Sequence, residues 1–95
     1  MVRLVSMKSV RTFIAKHHDS EPPLKSWCAV VKQAQWKHLV DLRAVFPSAD
    51  QVGRRTVFNI GQSYRLIARV NYESQKVFVL HILTHGEYDK GRWKR

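Results

Sequence analysis

The sequence is poor in cysteine, in acidic residues and in long apolar runs. A single cysteine, Cys28, stands among 95 residues. That excludes an internal disulfide framework and a cysteine-based zinc cluster, so the fold must rest on its hydrophobic core. No apolar run approaches the roughly 18 residues of a membrane-spanning helix. The opening MVRLVSMKSVR carries arginine and lysine where a signal peptide would need an apolar stretch. No repeat, low-complexity stretch or linker interrupts the chain, which reads as one domain over 1–95. These absences lead us to expect a soluble, cytoplasmic protein with no membrane partner. Acidic residues number seven against 17 lysines and arginines, for a formal charge of +10. Such a surface attracts polyanions. With 44% hydrophobic residues the composition is nonetheless that of a folded domain rather than a basic tail.

Two periods divide what is present. VRLVS alternates as a short strand. Met7, Val10, Phe13, Ile14 and His17 then recur at helical spacing, with Ser6 placed to cap them, and HHDSEPP breaks that helix. Ser20 is placed to cap a second helix with Pro22 and Pro23 in its first turn. Its apolar stripe is Leu24, Trp27, Cys28, Val31, Ala34 and His38. LVDLRAVFP suggests one further helical turn, and PSADQVGRR a loop. RTVFNI, SYRLIARVNY and VFVLHILTH are rich in β-branched and aromatic residues and lie at hairpin spacing. The pattern predicts an α+β domain in the order strand, helix, helix, then a three-stranded antiparallel meander, with the helices packed on one sheet face.

Alternation sorts the strands into two faces. Phe58, Ile60, Tyr64, Leu66, Phe78, Leu80 and Ile82 form the set expected against Val10, Phe13, Ile14, Trp27 and Val31. The other face collects Arg55, Asn59, Arg65, Arg69, His81 and His85, interleaved with Val57, Ile67, Val79 and Leu83. Arginines on an open sheet are ordinarily solvated. Their convergence from three neighbouring strands on a partly apolar surface nevertheless suits single-stranded RNA. His81 and His85 do not suit one metal ion, because four residues along a strand separate them by roughly 13 Å; no metal or cofactor is expected. After the last strand, THGEYDKGRWKR gathers Tyr88, Lys90, Arg92 and Trp93, and its two aromatics are placed to stack on bases.

These residues resemble a family. VFNI, YRLIA and THGEYDKGRW, within residues 56–94, are similar to the signature region of HigB-type toxins in the RelE-like superfamily of bacterial mRNA interferases. DLRAVFPSAD resembles it more weakly. Gln62 and Ser63 depart from the glycine and asparagine often found in that hairpin turn. The resemblance implies a RelE-like fold, metal-free endoribonuclease cleavage of mRNA on the translating ribosome, and neutralisation by a HigA-type antitoxin.

Metal-free cleavage turns the RNA's own 2′-hydroxyl on the adjacent phosphorus, so protein groups must move protons and hold a phosphorane. Arginine suits the phosphate, and imidazole changes charge near neutrality. The expected catalytic residues are therefore Arg65, His85 and Tyr88, with base and acid left unassigned between the last two. Arg55, Asn59, Arg69, His81, Lys90, Arg92 and Trp93 are expected to bind RNA. Two rival classes stand beside the nuclease: a non-catalytic RNA- or ribosome-binding module that blocks translation, and a DNA-binding regulator. The second is disfavoured because the second helix directs Trp27 and Val31 to the core.

Overall fold

Alternation is cleanest in Arg55–Ile60 (β3) and Tyr64–Asn71 (β4), and both form strands with the expected faces. The computed structural model describes residues 2–94, so the two ends of the expected 1–95 domain, Met1 and Arg95, lie outside the described residues. β4 is the centre of a five-stranded sheet whose order is Arg3–Val5 (β1), Lys76–Thr84 (β5), β4, β3 and Asp50–Val52 (β2). The meander β3–β4–β5 is antiparallel, with β5 at Lys76–Thr84. The first strand, β1 (Arg3–Val5), joins it in parallel along Lys76–Phe78. Gly61, at φ 60°, opens the β3–β4 turn in a conformation that glycine adopts freely.

One sheet face is covered by helices. α1 (Met7–Lys16) and α2 (Glu21–Gln33) bury Val10, Leu24, Trp27, Cys28 and Val31 against Phe58, Ile60, Tyr64, Leu66 and Ile82. Phe13 and Ile14 are half-buried at the margin of that core. Neither expected serine cap forms. Ser6 adopts a left-handed backbone without a side-chain cap, and the Ser20 hydroxyl donates back to the His17 carbonyl. A 3₁₀ turn at His18–Ser20 leads directly into α2, with its prolines in the first turn. α2 stops at Gln33 because Ala34 turns extended, so His38 falls off the expected stripe and precedes a separate helix, α3 (Leu39–Val45). The expected loop contains a short edge strand, β2 (Asp50–Val52), paired with β3. No described helix is long and apolar enough to cross a membrane.

The last strand departs from simple alternation. Ile67 pairs with His81, but the next residue, Ala68, pairs with Val79, leaving Leu80 as the extra residue of a β-bulge. One inserted residue exchanges the two faces of everything beyond it. Val77 and Val79 therefore enter the helix-side core, whereas Phe78 is half-buried and Leu80 is 39% exposed. The expectation that Phe78 faces the helices, and Val79 the opposite side, is corrected by this bulge, and Leu80 is left exposed beside α1 rather than in the core.

The opposite face is not open from end to end. After β5 the chain forms α4 (His85–Asp89) and a 3₁₀ turn at Arg92–Lys94, and these fold back across the sheet. Trp93 closes a second small core with Val57 and Ile67, flanked by Val52, Leu83 and Tyr88.

The bulge has a stability signature. Leu66→Ala, at a fully buried position, should cost about 2–5 kcal/mol. Leu80→Ala should change stability by no more than about 0.5 kcal/mol. Denaturant midpoints at constant slope check this, and a Leu80 cost equal to that of Leu66 would restore the unbulged register.

Candidate active site

The cross-strand register arranges the face opposite the helices in three rows. Asn59, Arg65 and Leu83 lie side by side at one end; Val57, Ile67 and His81 follow in the middle. Arg69, opposite Phe78, lies in the far row, and Arg55 stands one residue beyond the Thr56–Ala68 pair. Because Trp93 covers the middle row, the arginines do not form one continuous groove. Arg65 is about 13 Å along the strand from Arg69. The structure thus brings Arg65 together with Asn59 and the C-terminal segment, and leaves Arg55 and Arg69 at the other end.

Local sequence explains why the C-terminal segment sits there. Thr84 and Glu87 make a capping box: the Thr84 hydroxyl accepts from the Glu87 N–H, and the Glu87 carboxylate accepts from the Thr84 N–H at 3.0 Å. The His85 N–H donates to the Ser63 carbonyl at 3.1 Å, tying the helix start to the β3–β4 turn. His85 is therefore the first residue of a helix, not the end of a strand as expected. Four residues on, Asp89 lies on the same helix face, and its Oδ2 is 3.2 Å from His85 Nδ1. A carboxylate at that distance favours the tautomer with the proton on Nδ1, which leaves Nε2 for another partner.

Tyr88 and Trp93 stack on each other, with ring centres 5.1 Å apart and planes 12° from parallel. The Trp93 indole N–H donates to the Tyr88 carbonyl at 2.9 Å, and Lys94 lies 5.6 Å from the ring centre. Trp93 is only 4% exposed. Its expected role in stacking on bases is corrected: the ring is committed to Val57, Ile67 and Tyr88. Tyr88 remains half-buried, with the Arg65 guanidinium 5.8 Å from its ring centre, a cation–π distance. Arg65 Nη1 donates to the Tyr64 carbonyl at 3.0 Å. Among the described residues Arg65 pairs with no carboxylate. A half-buried guanidinium held by a carbonyl and a ring face, with further N–H donors left over, is suited to an oxyanion.

Beside it lies a cleft of about 260 Å³ lined by His81, Leu83, Glu87, Lys90, Arg92 and Trp93. Four of the expected RNA-binding residues, His81, Lys90, Arg92 and Trp93, thus line this one cleft. Among the described residues no group of three histidine, cysteine, aspartate or glutamate side chains could hold a metal ion.

The sequence model of HigB toxins, RelE-like toxic components of toxin–antitoxin systems, matches residues 20–91. The chain belongs to the HigB toxin family. Among its relatives is the mRNA interferase toxin HigB of Escherichia coli K12, 30% identical over 93% of this chain and 88% of its own length. The mRNA interferase HigB of Shigella flexneri gives the same figures, 30% over 93% and 88%. That of Escherichia coli O6:H1 is 27% identical over 94% and 90%. The HigB match spans α2 to α4 and so includes every strand of the meander and the capped helix that carries His85 and Tyr88.

Asp89, Glu87 and the covering role of Trp93 were missed in the sequence. Thr84-His-Gly-Glu87 carries the capping signal, and with His85 read as helical, Asp89 falls four residues on at once.

The capping box also sets a pH response. The Thr84 N–H bonded to Glu87 holds its carboxyl below the usual glutamate range. A carboxyl lowered in the folded state contributes its stabilisation above the unfolded value of about 4.3, and that contribution is lost as pH falls through the lower folded value. Amide exchange in α4 should therefore accelerate as pH falls through that window, after correction for intrinsic exchange. Glu87→Gln should abolish the step, and an unchanged step in that variant would assign it to another group.

Proposed function

We propose that this HigB-family chain is a metal-independent endoribonuclease that cleaves mRNA on the translating ribosome in the cytoplasm and is neutralised by a HigA-type antitoxin. The observation that carries this reading is Arg65, a half-buried cation oriented by the Tyr64 carbonyl and the Tyr88 ring and lacking a carboxylate partner among the described residues. The relatives' name, mRNA interferase, supports the substrate class.

The proposed chemistry is internal transesterification. The RNA 2′-oxygen attacks the adjacent phosphorus, forming one P–O bond as the P–O5′ bond breaks. The products are a 2′,3′-cyclic phosphate and a 5′-hydroxyl. Arg65 holds the non-bridging oxygens, whose negative charge grows in the phosphorane, and its fork matches two of them. His85, with Asp89 on Nδ1, offers Nε2 for proton transfer. Tyr88 presents a phenol at the same rim, and His85 and Tyr88 divide the removal of the 2′-proton and the protonation of the 5′-oxygen. Asn59, His81, Lys90 and Arg92 hold the flanking strand, while Arg55 and Arg69, at the far end of the sheet, meet RNA or ribosome beyond the scissile link.

Arg65→Ala should slow cleavage on the order of 10²–10³-fold, as loss of one oxyanion donor does. His85→Gln should slow it on the order of 10²–10⁴-fold and flatten the pH–rate profile, with RNA binding weakened less than in Arg65→Ala. Asp89→Asn should fall between parent and His85→Gln, because imidazole remains but its orientation loosens. End-labelled RNA with and without programmed ribosomes provides the assay. Retention of RNA without cyclic-phosphate fragments would favour the binding module instead.

A further inference from the structure

A second cavity lies away from Arg65. It is a groove of about 600 Å³ between α1 and α2. Val10, Ile14 and Cys28 make an apolar floor. Val10 and Cys28 belong to the helix-side core, whereas Trp93 and Tyr88 pack on the other sheet face, so the sheet separates this groove from the candidate active site. Nothing in the proposed chemistry uses it.

The rim is cationic. Arg11 stands on α1, and Lys25 and Lys32 on α2, seven residues apart and hence two turns along one face. Ala29 lies between those lysines, exposed and without bulk, so the wall dips where a partner would approach. The one acidic residue of the lining, Glu21, meets Lys25 at 3.5 Å in an exposed pair. Such pairs contribute little and leave the lysine available. α1 has ten residues, so the groove runs for about 15 Å, the length of three helical turns.

We infer that this groove docks an amphipathic helix of about three turns, with apolar side chains at i, i+3 or i+4 and i+7 seated over Val10, Ile14 and Cys28 and an acidic flank against Arg11, Lys25 and Lys32. Charge complementarity selects the occupant: a basic lip around an apolar floor disfavours another segment of this +10 chain and favours an acidic one. The helix belongs to the antitoxin, an assignment that rests on the toxin reading above.

The test uses the intact complex of this chain with the antitoxin of its own system. Ala29→Glu, at an exposed position that leaves the core untouched, and the double variant Lys25→Glu/Lys32→Glu should each weaken the complex on the order of tenfold or more. The parent's association rate should fall with added salt, and the double variant's should fall less. Complex formation should slow amide exchange in α1 and α2, and alkylation of Cys28, the chain's single thiol, should slow with it. Free Ala29→Glu should cut RNA at the parent rate. Unchanged affinity in both variants, protection confined to the Arg65 face, or no complex at all overturns the inference. A parent chain that binds the antitoxin through this groove but never cleaves RNA overturns the nuclease reading instead and leaves the groove assignment standing.

Discussion

The site hangs on the contact between Trp93 and the middle row of the sheet. Val57 and Ile67 present apolar surface on the face opposite the helices, and an uncovered pair there would sit in water. Trp93 covers them, and burying a side chain of that size stabilises by more than the ~1.5–3 kcal/mol of an ordinary core residue. That burial draws residues 85–94 across the sheet. The rest follows from covalent geometry: with Trp93 fixed, its stacked neighbour Tyr88 must lie over the adjacent row, where Arg65 projects. The capping box and the His85–Ser63 bond secure the other end of the same segment. A side chain suited by composition to base stacking is thus a structural clamp, and the ring it holds is the half-buried Tyr88.

Charge is distributed around this clamp in two functionally distinct ways. On the sheet face Arg65 contacts a carbonyl and a ring, and Lys90 and Arg92 line the neighbouring cleft, an arrangement suited to phosphate. On the helix side Arg11, Lys25 and Lys32 border an apolar groove, an arrangement for an amphipathic helix. An excess of cations over the whole surface explains attraction to polyanions. It does not by itself separate RNA from an acidic protein. The apolar content of each surface does: Tyr88 with Leu83 beside Arg65 on one side, and the apolar floor of Val10, Ile14 and Cys28 on the other. The sheet lies between them, so the proposed cleavage and the inferred docking should be separable by substitution.

The sequence was most legible where alternation was strict. β3 and β4 set polar residues against apolar ones at successive positions, so the placement of Leu66 inward and Arg65 outward could be read directly. VFVLHIL offers no such contrast, since nearly every position is apolar. A bulge that exchanges faces at Leu80 therefore leaves no trace in the pattern. α1 and α2 were visible from their stripes, but their serine caps were not formed, because a 3₁₀ turn and a left-handed Ser6 replaced the usual entry. Of the site, Arg65 and Tyr88 lie close together in the fold. His85 was put on a strand although Thr84 and Glu87 spelled a capping box, and that misreading concealed Asp89. Trp93 could not be assigned from composition, because whether an aromatic near a chain end covers the sheet or faces solvent depends on the vacancy over Val57 and Ile67, a tertiary fact.

The dependence of the site on its clamp is open to one direct measurement. Single-turnover RNA cleavage, with ribosomes supplied, is compared for the parent, Trp93→Ala, Arg65→Ala and the double variant, after circular dichroism and denaturant melts confirm that each is folded. If Trp93 acts only by holding Tyr88 beside Arg65, its removal slows the parent on the order of tenfold to a hundredfold, the scale of a misplaced catalytic group. It should then add almost nothing once Arg65 is absent, a strong coupling of the two sites. Cleavage unaffected by Trp93→Ala, or losses that multiply in full in the double variant, would contradict the clamp.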